Sequence, residues 1–157
     1  WLGVGLVGGR LQLRYEDGNR RDALSIDTER RLLTQPHLLL DGLFGAYASR
    51  SNLDDAPSFD VPYFNPARDA SLRLGARLDH LSWRRYNHHL RQRVTASVGP
   101  YWQRDHSSAW VPELRYEHEW RFGTGRLLKY GIGWSRPVYD GVREEHLGFD
   151  LAFGWGE

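Results

Sequence analysis

The chain has 157 residues, with 21 Lys and Arg against 20 Asp and Glu, a net charge of +1. That balance excludes the basic footprint of a nucleic-acid binder, and the absence of cysteine excludes a disulfide framework and any thiolate metal centre. No stretch approaches the ~20 apolar residues of a spanning helix, yet 7 Trp, 8 Tyr and 17 Gly are a heavy aromatic and glycine load for this length.

Methionine is also missing, so the sequence reads as a piece of a longer or processed chain, and no secretory leader is visible in it. A first strand is expected over residues 2–16. Gly3, Gly5, Gly8 and Gly9 suggest a bulge in it, after which Leu11, Leu13 and Tyr15 oppose Arg10, Gln12 and Arg14. Glu16-Asp17-Gly18-Asn19 signals a turn. A second strand follows over 21–33, with Leu24, Ile26 and Thr28 on one face, although Leu24, Asp27 and Arg31 also fit helical spacing. Thr34-Gln35-Pro36 breaks the chain before a third strand over 37–49, where Leu38, Leu40, Phe44 and Ala46 oppose Leu39, Asp41, Gly45 and Tyr47.

Residues 50–67 hold Pro57, Pro62 and Pro66 and no usable period, which reads as a long and therefore functional loop. In a fourth strand, over 70–83, Leu72, Leu74, Ala76 and Leu78 oppose Ser71, Arg73, Gly75, Arg77 and Asp79. After a turn at Tyr86-Asn87-His88, a fifth strand over 90–102 sets Leu90, Val94, Ala96, Val98 and Trp102 against Arg91, Arg93, Thr95, Ser97, Gly99 and Tyr101. Asp105-His106-Ser107-Ser108 leads into a sixth strand. There Trp110, Leu114, Tyr116, His118 and Trp120 oppose Glu113, Arg115, Glu117, Glu119 and Arg121. Past Gly123-Thr124-Gly125 the seventh strand opposes Leu128, Tyr130, Ile132 and Trp134 to Lys129, Gly131, Gly133 and Ser135. Beyond a loop at 137–143, the eighth opposes Leu147, Phe149, Leu151, Phe153 and Trp155 to Gly148, Asp150, Ala152 and Gly154.

A period of two with one apolar and one charged face is the pattern of an antiparallel transmembrane β-barrel, apolar toward lipid and polar toward a wet interior. Membrane thickness gives a check on this. Trp110 and Trp120 lie ten positions apart on one face; at ~3.3 Å per residue and a tilt of ~40° they span roughly the 25 Å apolar band. Trp102, Trp110 and Trp134 would then form one aromatic belt, and Trp120 and Trp155 the other. The turns near Pro36, Asn87 and Gly123 are short and would face the periplasm; the 50–67, Asp105 and Asp140 loops would be extracellular.

The wet wall carries the chemistry. Asp41 and Tyr47, Arg77 and Asp79, and Tyr101 are candidates to line a pore, with Glu113, Arg115, Glu117 and Glu119 on one strand and Asp150 on the last. Three glutamates on one strand would attract a cationic polymer, and Tyr47 and Tyr101 could stack on sugar rings. The same charges also fit a salt-bridge lattice that stiffens a barrel, and Tyr101 fits an interfacial belt. Catalysis is not expected: Asp105, His106, Ser107 and Ser108 adjoin on one loop and cannot form a triad, and no nucleophile elbow surrounds either serine. No cofactor or metal site is expected. His88 and His89 are consecutive and would point apart.

Val61-Pro62-Tyr63-Phe64-Asn65-Pro66 with Arg68-Asp69, then His80-Leu81-Ser82-Trp83, Tyr101-Trp102 and Tyr139-Asp140-Gly141, resembles the outer-membrane porin family that exports poly-β-1,6-N-acetylglucosamine, a biofilm exopolysaccharide. The resemblance is close from residue 60 onward and looser before it. It implies a Gram-negative outer membrane and a sixteen-stranded barrel of which this chain is roughly the C-terminal half. It further implies an acidic pore for partially deacetylated polymer and, as partners, a periplasmic deacetylase and an inner-membrane synthase complex. The 50–67 loop would gate or line the exit. Three other readings stay open: a cellulose-type export porin, a small self-contained barrel acting as anchor or adhesin, and a secreted sugar-binding sandwich.

Overall fold

The computed structural model describes residues 4–16, 18–52 and 64–156. Seven strands follow one another as an antiparallel meander: β1 (Val4–Arg14), β2 (Arg20–Gln35), β3 (Leu38–Ser51), β4 (Arg68–Arg85), β5 (His88–Gln103), β6 (Ala109–Phe122) and β7 (Arg126–Ser135). The next connection carries a small hairpin, β8 (Val138–Tyr139) and β9 (Val142–Arg143), before β10 (His146–Trp155). The main sheet has the order β1-β2-β3-β4-β5-β6-β7-β10, so every strand pairs with its sequence neighbour and β1 and β10 are its edges. Among the described residues there is no helix. Most of the 50–67 loop, including Val61 to Tyr63 of the hexapeptide, lies outside the described residues, as does Asp17 of the first turn.

Burial in this sheet is the reverse of that in a soluble domain. Among the described residues Val138 and Pro66 are the buried apolar side chains, whereas Asp41, Asp69, Asp79 and Gln103 are buried. Leu74 is 64% exposed, Trp110 61% and Phe149 71%. A soluble sandwich would cover such a face with a second layer; here no protein layer lies on it. On β6 and β7 the polar atoms of the apolar face satisfy one another. His118 lies between the hydroxyls of Tyr116, 2.6 Å away, and Tyr130, 2.5 Å away. Unpaired polar groups in hydrocarbon cost several kcal/mol each, which accounts for the pairing.

Three features depart from simple alternation. The first strand has no bulge: β1 pairs with β2 in unbroken register from Val4↔Arg30 to Arg14↔Arg20. That register sets Arg10 opposite Leu24 and Leu11 opposite Ala23, so Arg10, Gln12 and Arg14 share the apolar side while Leu11 and Leu13 face inward. Alternation reveals which residues share a face; only pairing to the neighbour decides which face it is. The other two features are bulges, between Arg31 and Leu33 in β2 and between Leu81 and Trp83 in β4. One extra residue flips the parity. Leu33 therefore pairs with Leu40, and Trp83 with Leu90, on the lipid side. The belts stand as expected, with Trp102, Trp110, Trp134 and Trp155 exposed on that side and Trp120 stacked on Phe122 at 6.0 Å. Trp83 joins the belt at the short-turn end.

The two ends of the sheet differ. One carries the short turns at Pro36, Tyr86 and Gly123; Tyr86 (φ 53°) and Gly123 (φ 70°) adopt the left-handed backbone that such tight reversals require. The other end carries the 16–19 turn, the 52–67 and 104–108 connections and the β8–β9 hairpin.

Candidate functional site

The inward face is a continuous lattice of ion pairs. Asp27 on β2, Gly45 on β3 and Arg73 on β4 are directly in line. With no side chain at Gly45, the Arg73 guanidinium donates to Asp27 across the intervening strand at 3.0 Å; a Cβ there would come within 2.8 Å of Asp27 Oδ1. The same device recurs between β6 and β10. Arg115 reaches Asp150 at 2.5 Å past Gly131 on β7, where a Cβ would meet Asp150 Oδ1 at 3.2 Å and Glu117 Cγ at 3.1 Å. Gly45 and Gly131 thus make room for ion pairs that skip a strand.

Each sequence-predicted carboxylate has a cationic partner. Asp41, 2% exposed, is held by Arg31 and, at 3.0 Å, by Arg77, which also pairs with Glu29. Asp79 takes Arg93 at 2.6 Å and Arg91 at 3.1 Å. Glu113 accepts from Ser97 at 3.0 Å and lies 3.6 Å from Arg73. Glu117 pairs with Arg115 at 3.3 Å, and Glu119 with Lys129 at 3.0 Å and His89 at 3.8 Å. The run of glutamates on β6 is therefore neutralised from β4, from β6 itself and from β7. Asp41 and Asp79 are too enclosed to meet a polymer and act on the wall itself.

A second buried cluster stands at the long-loop end. Arg21 on β2 donates to Ser49 Oγ at 3.0 Å, to the Tyr47 hydroxyl at 3.2 Å and to Asp69 at 3.2 Å. Ser49 donates to the same Asp69 carboxylate, as does the Tyr101 hydroxyl at 3.3 Å. Tyr101 thus belongs to this inward cluster rather than to an interfacial belt. Above it Phe64 and Tyr139, from different connections, meet edge to face at 4.9 Å. Tyr139 is placed by the β8–β9 hairpin, which is pinned by Gln103: its Oε1 accepts from the Asp140 backbone N–H at 3.1 Å and its amide donates to the Asp140 carboxylate. Asp140 (φ 50°) and Gly141 (φ 79°) make the tight reversal that turns Tyr139 over the sheet. These parts enclose a cavity of about 430 Å³ lined by Tyr47, Phe64, Asp69, Tyr101, Glu113 and Tyr139, among others. It offers aromatic faces, three carboxylates (Asp27, Asp69 and Glu113) against one arginine (Arg73), and an opening to the polar face, which suits a sugar unit carrying a positive charge.

Of the predicted residues, Tyr47, Tyr101 and Glu113 come together in this cavity; Asp41, Arg77, Asp79, Arg115, Glu117, Glu119 and Asp150 lie in the lattice. Asp69, Arg21, Gln103 and Tyr139 were not expected to contribute. Asp69 falls one position before the expected start of the fourth strand, and inward alternation extended to it would have found it. His106 sits 3.8 Å from Asp140, on the neighbouring connection. No group of three metal-ligating side chains gathers among the described residues.

Residues 11–155 match the family described as the PgaA membrane beta barrel domain. Over 143 residues the chain is 29% identical to the poly-beta-1,6-N-acetyl-D-glucosamine export proteins of Escherichia coli K12 and Escherichia coli O157:H7. The matched region covers 88% of this chain and 17% of each relative, so the chain spans a small part of their length. A solved structure titled bacterial polysaccharide outer membrane secretin shares the fold, with a TM-score of 0.90 at 24% identity, over 97% of this chain and 51% of that one.

Proposed function

The chain belongs to the PgaA membrane β-barrel domain family, and we propose that it forms about half the wall of an outer-membrane pore through which an exopolysaccharide leaves the cell by passive passage. The substrate is partially deacetylated poly-β-1,6-N-acetylglucosamine. The relatives' names support that polymer, and the observation that carries the reading is the aromatic and acidic cavity at the long-loop end. Tyr47, Tyr101, Phe64 and Tyr139 offer ring faces to pyranose rings. Asp27 and Glu113, whose side chains are 53% and 44% exposed, offer charge to the ammonium of a deacetylated unit. A neutral glucan such as cellulose would gain only hydroxyl hydrogen bonds from those carboxylates, without the ion pair.

The lattice below the cavity complements it. Its charges are paired within the wall, so a polymer in the channel meets a polar surface with little net field. Conduction needs sites that hold a passing unit weakly and release it. A self-neutralised wall leading to one aromatic site meets that need. No step is catalytic. β1 and β10 are open edges that do not pair with each other, which supports a larger barrel, of sixteen strands, over a self-contained small one. A periplasmic deacetylase would supply the charged units and an inner-membrane synthase complex the thrust. The test is secretion by the full-length protein with Tyr47→Ala and Tyr101→Ala together. Surface polymer should fall several-fold while the barrel still inserts and keeps its heat-dependent gel mobility. Normal secretion from a correctly inserted double variant would remove the cavity from the transport path.

A further inference from the structure

The unbroken register of β1 places Arg10, Gln12 and Arg14 on the lipid side, and neighbouring strands add to them. Arg20 and Asp22 on β2, Arg50 on β3 and Arg68 on β4 share that side, with Arg50 directly paired to Asp22 and to Arg68. Five arginines thus gather on four adjacent strands at the long-loop end, with one carboxylate among them. Asp22 lies 3.2 Å from Arg20, 3.7 Å from Arg10 and 3.9 Å from Arg50, and accepts from Gln12 at 2.7 Å. Among the described residues Arg14 and Arg68 form no ion pair, and Glu16 in the adjoining turn forms none with any of the five. The guanidiniums remain available: the Arg10 and Arg50 side chains are 72% and 73% exposed.

Two clefts open between them, one of about 550 Å³ lined by Arg10, Asp22, Leu24, Ala48, Arg50 and Arg68, the other of about 340 Å³ by Arg20, Asp22, Arg50, Ser51 and Asn52. Toward the membrane centre lie the exposed apolar Leu24, Ile26, Leu72 and Leu74. At the same end the lipid side of β5, β6 and β7 carries Trp102, Trp110 and Trp134 instead. The cationic sector is therefore local, and it replaces an aromatic belt rather than adding to one.

Five positive charges at the rim of an outer-membrane barrel, above an apolar surface, are costly unless an anion meets them. Arginine forks match phosphate oxygens two at a time. We propose that this sector is a docking site for the outer-leaflet glycolipid, with its phosphorylated head group in the arginine clefts and its acyl chains along Leu24, Ile26, Leu72 and Leu74. Arg10, which starts lowest on β1 and reaches Asp22 on the next strand, follows the direction in which long side chains climb toward head groups. Asp22 gathers three of the arginines around one carboxylate and offsets their mutual repulsion, so the cationic cluster is assembled before the lipid arrives. The site lies on the outside of the wall and is independent of what the pore carries.

The test uses the full-length protein purified in detergent and titrated with the phosphorylated glycolipid, with the same glycolipid after phosphate removal, and with inorganic phosphate. Phosphate removal should weaken binding at least about tenfold, given the strength of guanidinium–phosphate pairs. The triple variant Arg10→Gln, Arg50→Gln, Arg68→Gln should lose a similar factor toward the intact glycolipid and little toward the dephosphorylated one. Arg84→Gln, at the opposite end, should bind as the parent does. If the triple variant fails to insert, Arg10→Lys, Arg50→Lys, Arg68→Lys serves in its place; it keeps the charge, loses the fork and should weaken binding part of the way. Equal affinity for the two glycolipid forms would overturn the proposal, as would tight binding unchanged in the variants. Competition by inorganic phosphate as strong as by the glycolipid would reduce the site to an anion site and overturn the lipid assignment.

Discussion

Replacing Asp41 by Asn tests whether the inward lattice is structural. The substitution keeps volume and one acceptor but removes the charge between Arg31 and Arg77. Arg77 keeps Glu29; Arg31 is left without an anionic partner. Breaking a fully buried pair costs ~3–5 kcal/mol, and an exposed one ~0.2–1 kcal/mol. Asp41 is 2% exposed, while the Arg31 and Arg77 side chains are 27% and 26% exposed to the lumen. The effect should therefore fall between those limits, at about 2 kcal/mol. At a urea slope of ~2 kcal/mol/M the midpoint drops by about 1 M. The assay is urea unfolding of the full-length protein in detergent, followed by tryptophan fluorescence and gel mobility. Glu113→Gln is the internal comparison, because Glu113 and its partner Arg73 are 44% and 50% exposed, and its shift should stay under about 0.5 kcal/mol. Equal shifts for the two variants, or no shift for Asp41→Asn, would refute the inference that burial decides which members of the lattice hold the wall together.

Three further outcomes follow from the same geometry. Glu113→Gln, Glu117→Gln and Glu119→Gln together leave Lys129 uncompensated, while Arg73 keeps Asp27 and Arg115 keeps Asp150; secretion of deacetylated polymer should fall more than that of fully acetylated polymer, and equal losses would deny the wall any charge selectivity. Leu74→Arg puts a cation on the lipid side and should lower unfolding stability in vesicles by roughly 2–4 kcal/mol, whereas Ser71→Arg, on the wet side of the same strand, should cost far less. Gly131→Val pushes a side chain into Asp150 and Glu117 and should cost about 1–3 kcal/mol; that cost should shrink when Asp150 is already Asn, and a double-mutant cycle showing strict additivity would sever Gly131 from the Arg115–Asp150 pair.

Much of the fold was legible because β6, β7 and β10 alternate without interruption and carry aromatics at both ends. The inward and outward sets of β3 to β7 and β10 stand as expected. β1 did not disclose its orientation: its glycines carry no polarity, and the Leu11–Leu13 pair reads as dry until β2 is laid beside it. The bulges at residues 32 and 82 each hinge on one extra residue between apolar neighbours, which no period announces. At the site, Tyr47, Tyr101 and Glu113 were found by alternation alone. What alternation could not supply was the identity of partners across strands, since Arg73 with Asp27, or Lys129 with Glu119, depends on register. The apparent acidity of β6 was a property of one strand in isolation. Tyr139 and Phe64 lie in connections, where no periodic rule assigns a direction.

Backbone ladders repeat every two residues, so hydrogen bonding alone would accept a strand displaced by one such step, apolar side still outward. The tie from Asp27 to Arg73 does not accept it, because it spans three strands and meets a gap only where the middle one has glycine. A slipped strand would bring Leu43 or Tyr47 under that tie in place of Gly45. The stagger accumulated around a closed barrel sets its tilt and therefore its bore. One missing side chain, at position 45, thereby helps to decide how wide the barrel is.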